Sequence, residues 1–160
     1  MFSFDVVSNI DMNEIKNALN MAAKEVLTRF DLKGSSAEIK MENEELILVA
    51  DDEFKLKSVK EILEQKLVKR GVSLKGLIYA PLEKAFSGNV RQKATLQQGI
   101  PAEKAKEMVK AIKRSGIKVQ VAIQSDQLRV SGKAKDDLQE TIKLLKEEFK
   151  EINLQFTNYR

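Results

Sequence analysis

Between Lys118 and Gly132, apolar and polar residues alternate on both sides of a short polar turn. Val119, Val121 and Ile123 alternate with Lys118, Gln120, Ala122 and Gln124; beyond Ser125-Asp126, Leu128 and Val130 alternate with Gln127, Arg129 and Ser131. A period of two across a tight turn predicts a β-hairpin with one face buried and one open. The buried face is aliphatic, and the open face is lysine, glutamine, arginine and serine. Such a face is either simply solvated or suited to phosphates and base edges, which take long donors and amides.

The same reading extends to the rest of the chain. Phe2 to Val7 reads as a strand. Asp11 and Glu14 have capping-box spacing ahead of a helix over 12–27 with Ile15, Ala18, Leu19, Ala22 and Val26 on one face. Thr28 to Ser36 breaks that helix. Ala37, Ile39 and Met41 open a hairpin that turns at Asn43-Glu44 and returns through Leu46 to Ala50. Asp51 and Asp52 suit the start of a second helix, lined by Leu56, Val59, Ile62, Leu63 and Leu67 and stopped at Gly71. Val72 to Tyr79 predicts another strand. Residues 81–90, with a proline and a Ser-Gly, read as a linker in which Phe86 anchors on one half. The order then begins again: a strand over 91–97, a helix led by Pro101 and ended by Gly116, and the hairpin. A helix striped by Leu138, Ile142, Leu145, Phe149 and Ile152 follows, then a strand holding Leu154 and Phe156.

Each half thus reads β-α-β-β-α-β. Adding 82 carries Ile39 to Val121, Leu46 to Leu128, Leu48 to Val130, Leu56 to Leu138, Leu63 to Leu145, Leu67 to Phe149 and Leu74 to Phe156. Apolar residues meet apolar residues at one offset, which indicates duplication. The predicted class is α+β with two ferredoxin-like domains: 1–80, a linker over 81–90, and 91–160. Each would be a four-stranded antiparallel sheet with two helices on one face. The other face stays open. It has no aromatics on the inner strands, which disfavours the usual RNA-stacking sheet. Ile47 and Val49 make the first open face partly apolar, so it is expected to be covered by the other half or by a second subunit.

Composition narrows the chemistry. The chain has neither cysteine nor histidine. That excludes disulfides, thiol nucleophiles, histidine bases and histidine or cysteine metal sites, and nothing calls for a cofactor. Neither a signal peptide nor a membrane span is legible, which points to the cytoplasm. Net charge is +4; residues 1–80 hold 12 Lys/Arg against 14 Asp/Glu, and residues 81–160 hold 16 against 10. The basic excess in the second half favours an anionic partner.

Candidate ligand contacts follow from these features. Arg29 and Lys33 flank Gly34 in TRFDLKG, a loop that could hold a phosphate; alternatively it is a helix stop with Phe30 plugged into the core. Lys69-Arg70-Gly71 reads as a match to the helix dipole. Arg91, Lys93 and Gln97 make one donor-rich strand face, Gln120 and Arg129 another. Asn158, Tyr159 and Arg160 end the chain with an amide, a stacking ring and a guanidinium, at a place where most chains fray.

Several of these stretches together resemble the YajQ family of bacterial nucleotide-binding proteins: SFDVVS, TRFDLKG, LVKRGV from Leu67, RQKATLQQGI from Arg91, and the terminal LQFTNYR. The resemblance covers essentially the whole chain. It implies two ferredoxin-like domains that exchange their N-terminal strands (2–7 and 91–97), nucleotide or RNA binding without catalysis, and in some members a role as a cyclic di-GMP effector. Leu32 departs from the pattern where a second aromatic is expected, removing a stacking surface. The leading expectation is a non-enzymatic binder of a guanine-type nucleotide such as cyclic di-GMP. An RNA-binding factor for tRNA or ribosomal RNA, using the basic second half, is the alternative. A protein-interaction module using Ile47 and Val49 is a third.

Overall fold

The computed structural model describes residues 1–85 and 87–160, so the expected Phe86 anchor lies outside the described residues. In chain order the elements are β1 (Phe2–Val7), α1 (Met12–Thr28), β2 (Glu38–Glu42), β3 (Glu45–Ala50) and α2 (Glu53–Lys69). A 3-10 turn (Leu74–Gly76) leads to β4 (Leu77–Tyr79), β5 (Glu83–Lys84) and β6 (Val90–Leu96). The last are α3 (Ala102–Ser115), β7 (Gln120–Gln124), β8 (Gln127–Gly132), α4 (Lys135–Glu148) and β9 (Gln155–Thr157).

The fold is α+β, with two antiparallel sheets. One runs β7-β8-β1-β9; the other runs β2-β3-β6-β4, with β5 also paired to β6. The chain divides into two compact units. Unit 1 holds Met1–Asn9 and Gln98–Arg160, and unit 2 holds Ile10–Gln97. The leading strand of each half therefore lies in the sheet of the other half's hairpin. β1 sits between β8 and β9, and β6 between β3 and β4. Both units are ferredoxin-like in strand order.

This differs from a chain cut at 81–90. Those residues are not a free linker: Glu83 pairs with Arg91 and Lys84 with Val90, making a hairpin arm inside unit 2. Alternation reveals that a segment is a strand and which face it buries, but not which edge it joins.

The unit 1 core is built on Phe4, Val6, Leu128, Val130, Met108, Ile112 and Leu145, all essentially inaccessible. The unit 2 core is built on Ile15, Ala18, Leu46, Leu48, Ile62, Leu63 and Ala94. At the offset of 82, β2 and β3 map residue for residue onto β7 and β8, and the start of α2 maps onto the start of α4. On the open face of unit 2, Ile47 lies in register between Lys40 and Lys93 and is 5% exposed in the single chain. Lysine stems on both sides suit an apolar neighbour.

Local chemistry departs from the sequence reading at several helix ends. Asp11 caps α1 by accepting from the N–H groups of Asn13 and Glu14. Glu14 does not close a capping box; its carboxylate is held by the Arg70 guanidinium at 2.7 and 3.0 Å. Arg70 thus ties the end of α2 to the start of α1, rather than merely matching a dipole. Asp52 caps α2, while Asp51 accepts from Ser36 and from Lys55. Those donors draw the Asp51 carboxyl down to about 2, the Ser36 hydroxyl contributing most. Of the strand expected over Val72 to Tyr79, only 77–79 is strand, because the 3-10 turn takes up the preceding residues. Pro101 precedes α3 rather than beginning it.

Candidate functional site

The open face of the unit 1 sheet has a carboxylate at its centre. β1 runs antiparallel to β8 with Asp5 opposite Arg129. The Arg129 guanidinium donates to both carboxylate oxygens, at 2.9 and 3.4 Å, and the Asn158 amide donates at 2.9 Å. Asp5 is only 6% exposed. Burial alone would raise its pKa. The Arg129 hydrogen bond outweighs that, and with help from Asn158 and the nearby Arg160 charge it holds the carboxyl below the usual aspartate value.

The same contacts fix the end of the chain. Asp5 faces Thr157, whereas Ser3 exchanges both backbone hydrogen bonds with Arg160. The tail thus takes three steps where β1 takes two, which is a β-bulge. Asn158 absorbs the extra residue with φ of 55°, a left-handed conformation that asparagine tolerates better than most residues. The bulge turns Tyr159 to the helix side of the sheet, where its ring lies 6.1 Å from that of buried Phe4. The terminal tripeptide is pinned, not frayed.

Beside this tail is a cavity of about 290 Å³, lined by Phe2, Ser3, Lys135, Leu138, Gln139, Tyr159 and Arg160. Tyr159 is 59% exposed there. The Lys135 ammonium stands 5.1 Å from the centroid of the Phe2 ring. Lys135 also begins α4, whose first turn has no side-chain cap. The Arg160 guanidinium, by contrast, turns to the open face and donates to the Asn158 side-chain oxygen at 3.3 Å. Two aromatic rings, the Lys135 ammonium and the Gln139 amide thus converge on one concavity. Such a lining can stack a planar base and neutralise a phosphate.

The other candidates are distributed as follows. Gln120 lines a separate cavity of about 370 Å³ with Lys118, Ser131 and Lys133. Arg129 and Asn158 are committed to Asp5, so they position the tail instead of offering free donors. In unit 2, Arg29 pairs with Asp31 at 2.8 Å and Arg91 with Glu83 at 3.0 Å. Lys33 and Lys93 make no ion pair among the described residues. Arg91 lies in register beside Val49 and Glu38, so it shares an end of the sheet with the loop that bears Arg29 and Lys33. Gln97 is at the other end of β6, its N–H donating to the carbonyl of Gly76.

The family model described as nucleotide-binding protein YajQ-like matches residues 2–160. The chain belongs to the YajQ family. It is 55% identical to a nucleotide-binding protein of Koribacter versatilis, across 99% of this chain and 96% of that one. Identity is 54% to a nucleotide-binding protein of Heliobacterium modesticaldum, at the same coverage. For a nucleotide-binding protein of Carboxydothermus hydrogenoformans it is 53%, across 99% and 98% of the two chains.

Against the structure, the YajQ-like motifs take on distinct roles. LQFTNYR supplies β9 and the pinned tail. RQKATLQQGI supplies β6 and then Gly99, which packs against Asp126 of the β7–β8 turn. In TRFDLKG the apolar anchor is Leu32, 2% exposed, while Phe30 is 95% exposed. Phe30 is therefore not a core plug. Leu32 occupies a buried position, so its departure from an aromatic removes no surface for stacking. Sequence reasoning missed Phe2, Lys135 and Gln139. Nothing local marks them, because their meeting with the tail depends on β1 entering the sheet of the second half.

Proposed function

We propose that this chain is a cytoplasmic, non-enzymatic nucleotide-binding protein, and that the cavity closed by the C-terminal tail of unit 1 is its site. The observation that carries the reading is the convergence of Tyr159, Phe2, Lys135 and Gln139 on that one concavity. The names of the relatives support the class of guest. In this site Tyr159 stacks on the base, Lys135 meets phosphate oxygens, and Gln139 offers an amide to the base edge. A guanine-type guest fits an amide that both donates and accepts, and cyclic di-GMP is the form we favour. At about 290 Å³ the cavity is at the small end for ligand sites and takes one nucleotide moiety, leaving the rest of a larger guest outside.

The test is a titration with labelled cyclic di-GMP, GTP and a tRNA at two salt concentrations. Losing a base–aromatic stack costs roughly 1–3 kcal/mol, so Tyr159→Ala lowers nucleotide affinity about tenfold or more. Lys135→Ala adds to that loss. The triple variant Arg29→Ala, Lys33→Ala, Arg91→Ala tests the unit 2 cations instead. If only the triple variant weakens binding, the guest sits on unit 2 and the unit 1 site is wrong.

An RNA reading draws on a groove of about 530 Å³ beside α3, where Lys110, Lys113 and Arg114 surround Phe149. It requires tRNA affinity to fall steeply with salt as counterions are released, and free nucleotide to compete poorly. The division into units weakens it. Unit 1 holds 13 Lys/Arg against 10 Asp/Glu and unit 2 holds 15 against 14, so the basic excess is milder than in the halves of the sequence.

A further inference from the structure

Among the described residues five strands form the outer edges of the two sheets, and four of them are protected against pairing with another chain. β5 is only the charged pair Glu83–Lys84. β2 alternates Glu38, Lys40 and Glu42 with its apolar residues, and β4 and β9 are three residues each. Short or charged edges are how soluble proteins avoid edge-to-edge association. β7 is different: Gln120-Val121-Ala122-Ile123-Gln124 has five residues, no charge and no proline. Ile123 is 47% exposed. Beyond β8, the strand has no partner among the described residues.

We infer that β7 is a homodimer interface, at which two copies of the chain pair β7 to β7 antiparallel about a two-fold axis through Ala122. The backbone phase allows it. Gln124 and Gln127 close the tight turn of the hairpin, so Gln124, Ala122 and Gln120 turn their N–H and C=O groups toward β8. Val121 and Ile123 therefore present theirs outward. With Ala122 on the axis, Val121 of each copy lies opposite Ile123 of the other, so the outward-facing groups meet as hydrogen-bonded pairs. The side chains match as well. Val121 meets Ile123 on one face, and Gln120 meets Gln124 on the other.

Charge selects this register over its neighbours. Beyond the ladder, Lys118 of one copy comes beside Asp126 of the other, and the two-fold repeats the pair at the opposite end. Neither residue makes an ion pair among the described residues, and Asp126, whose side chain packs against Gly99, remains exposed. A two-fold through Val121 or Ile123 would separate these charges. The pairing joins two four-stranded sheets edge to edge, making their amide-rich open faces continuous.

The chain has no cysteine, so Ala122→Cys introduces a single thiol. On the axis the two copies of residue 122 form a non-hydrogen-bonded pair, with Cα atoms about 4.5 Å apart, close enough for a disulfide. Mild oxidation therefore gives a covalent dimer of Ala122→Cys. Gln120→Cys, on the same face but away from the axis, cross-links far more slowly. By light scattering across a wide concentration range, Lys118→Asp or Asp126→Lys alone weakens dimerisation about tenfold by placing like charges together. The double variant restores it, which a folding defect would not. A wild type that stays monomeric throughout, or equal cross-linking at 120 and 122, overturns the inference.

Discussion

Leu32 and Phe30 lie two residues apart in one loop and have opposite environments, 2% and 95% exposed. Removing buried aliphatic volume costs about 2–4 kcal/mol, whereas a solvated side chain contributes little. Leu32→Ala should lower the chemical denaturation midpoint markedly, and Phe30→Ala should leave it within experimental scatter. Asp5 illustrates a charge at the same scale. Arg129 and Asn158 hold its carboxyl below the ordinary aspartate value of 3.8. Its contribution to stability is therefore fully present above that value and fades as pH falls through the folded-state pKa. Asp51, drawn down to about 2, behaves likewise. Unfolding midpoints should stay flat in these groups from neutral pH to about pH 5 and fall below pH 4. Asp5→Asn should reduce that acid dependence. An unchanged slope in Asp5→Asn would show that the Arg129 contact is not what lowers the carboxyl.

At the scale of elements, the bulge in the tail decides what the site presents. Without the extra residue at Asn158, strict alternation would put Tyr159 on the open face of the sheet, away from Lys135. Asn158 occupies a left-handed conformation, with φ of 55°. A β-branched residue tolerates that region poorly, while glycine accepts it but lacks the amide that reaches Asp5. Asn158→Val should therefore lose more nucleotide affinity than Asn158→Gly in the same titration, and both should lose more than Gln155→Ala. The hairpins behave in the opposite way. Their alternation fixes buried and open faces locally, which is why β2-β3 and β7-β8 coincide at one offset with no adjustment.

For the whole molecule, the exchange of leading strands splits unit 1 into Met1–Asn9 and Gln98–Arg160 and leaves unit 2 continuous over Ile10–Gln97. Unit 2 takes its central strand from β6, so a fragment of residues 10–97 contains every strand of its sheet. A fragment of residues 1–80 lacks β6 and leaves Leu46, Leu48 and Ala50 without the neighbour they pair with. The first should unfold cooperatively in denaturant with a circular dichroism spectrum of mixed α/β type. The second should show no cooperative transition. Two cooperative fragments would mean that the sheets tolerate either leading strand.

Much of this protein is determined along the chain itself. Periodicities of two and near four, a duplication at one offset, and the lack of histidine and cysteine fix the element types, the class and the range of chemistry, because each depends on near neighbours or on composition. Arg129, Asn158, Tyr159 and Arg160 were recognisable as candidates by type alone. Their division of labour was not: Arg129 and Asn158 hold Asp5, while Tyr159 and Arg160 line a cavity. That depends on β1 crossing into the second sheet, a choice between hydrogen-bonding edges that alternation cannot express. The same choice brings Phe2 to Lys135. It rests on pairing residues more than a hundred positions apart, where only tertiary structure can say which neighbour a strand has.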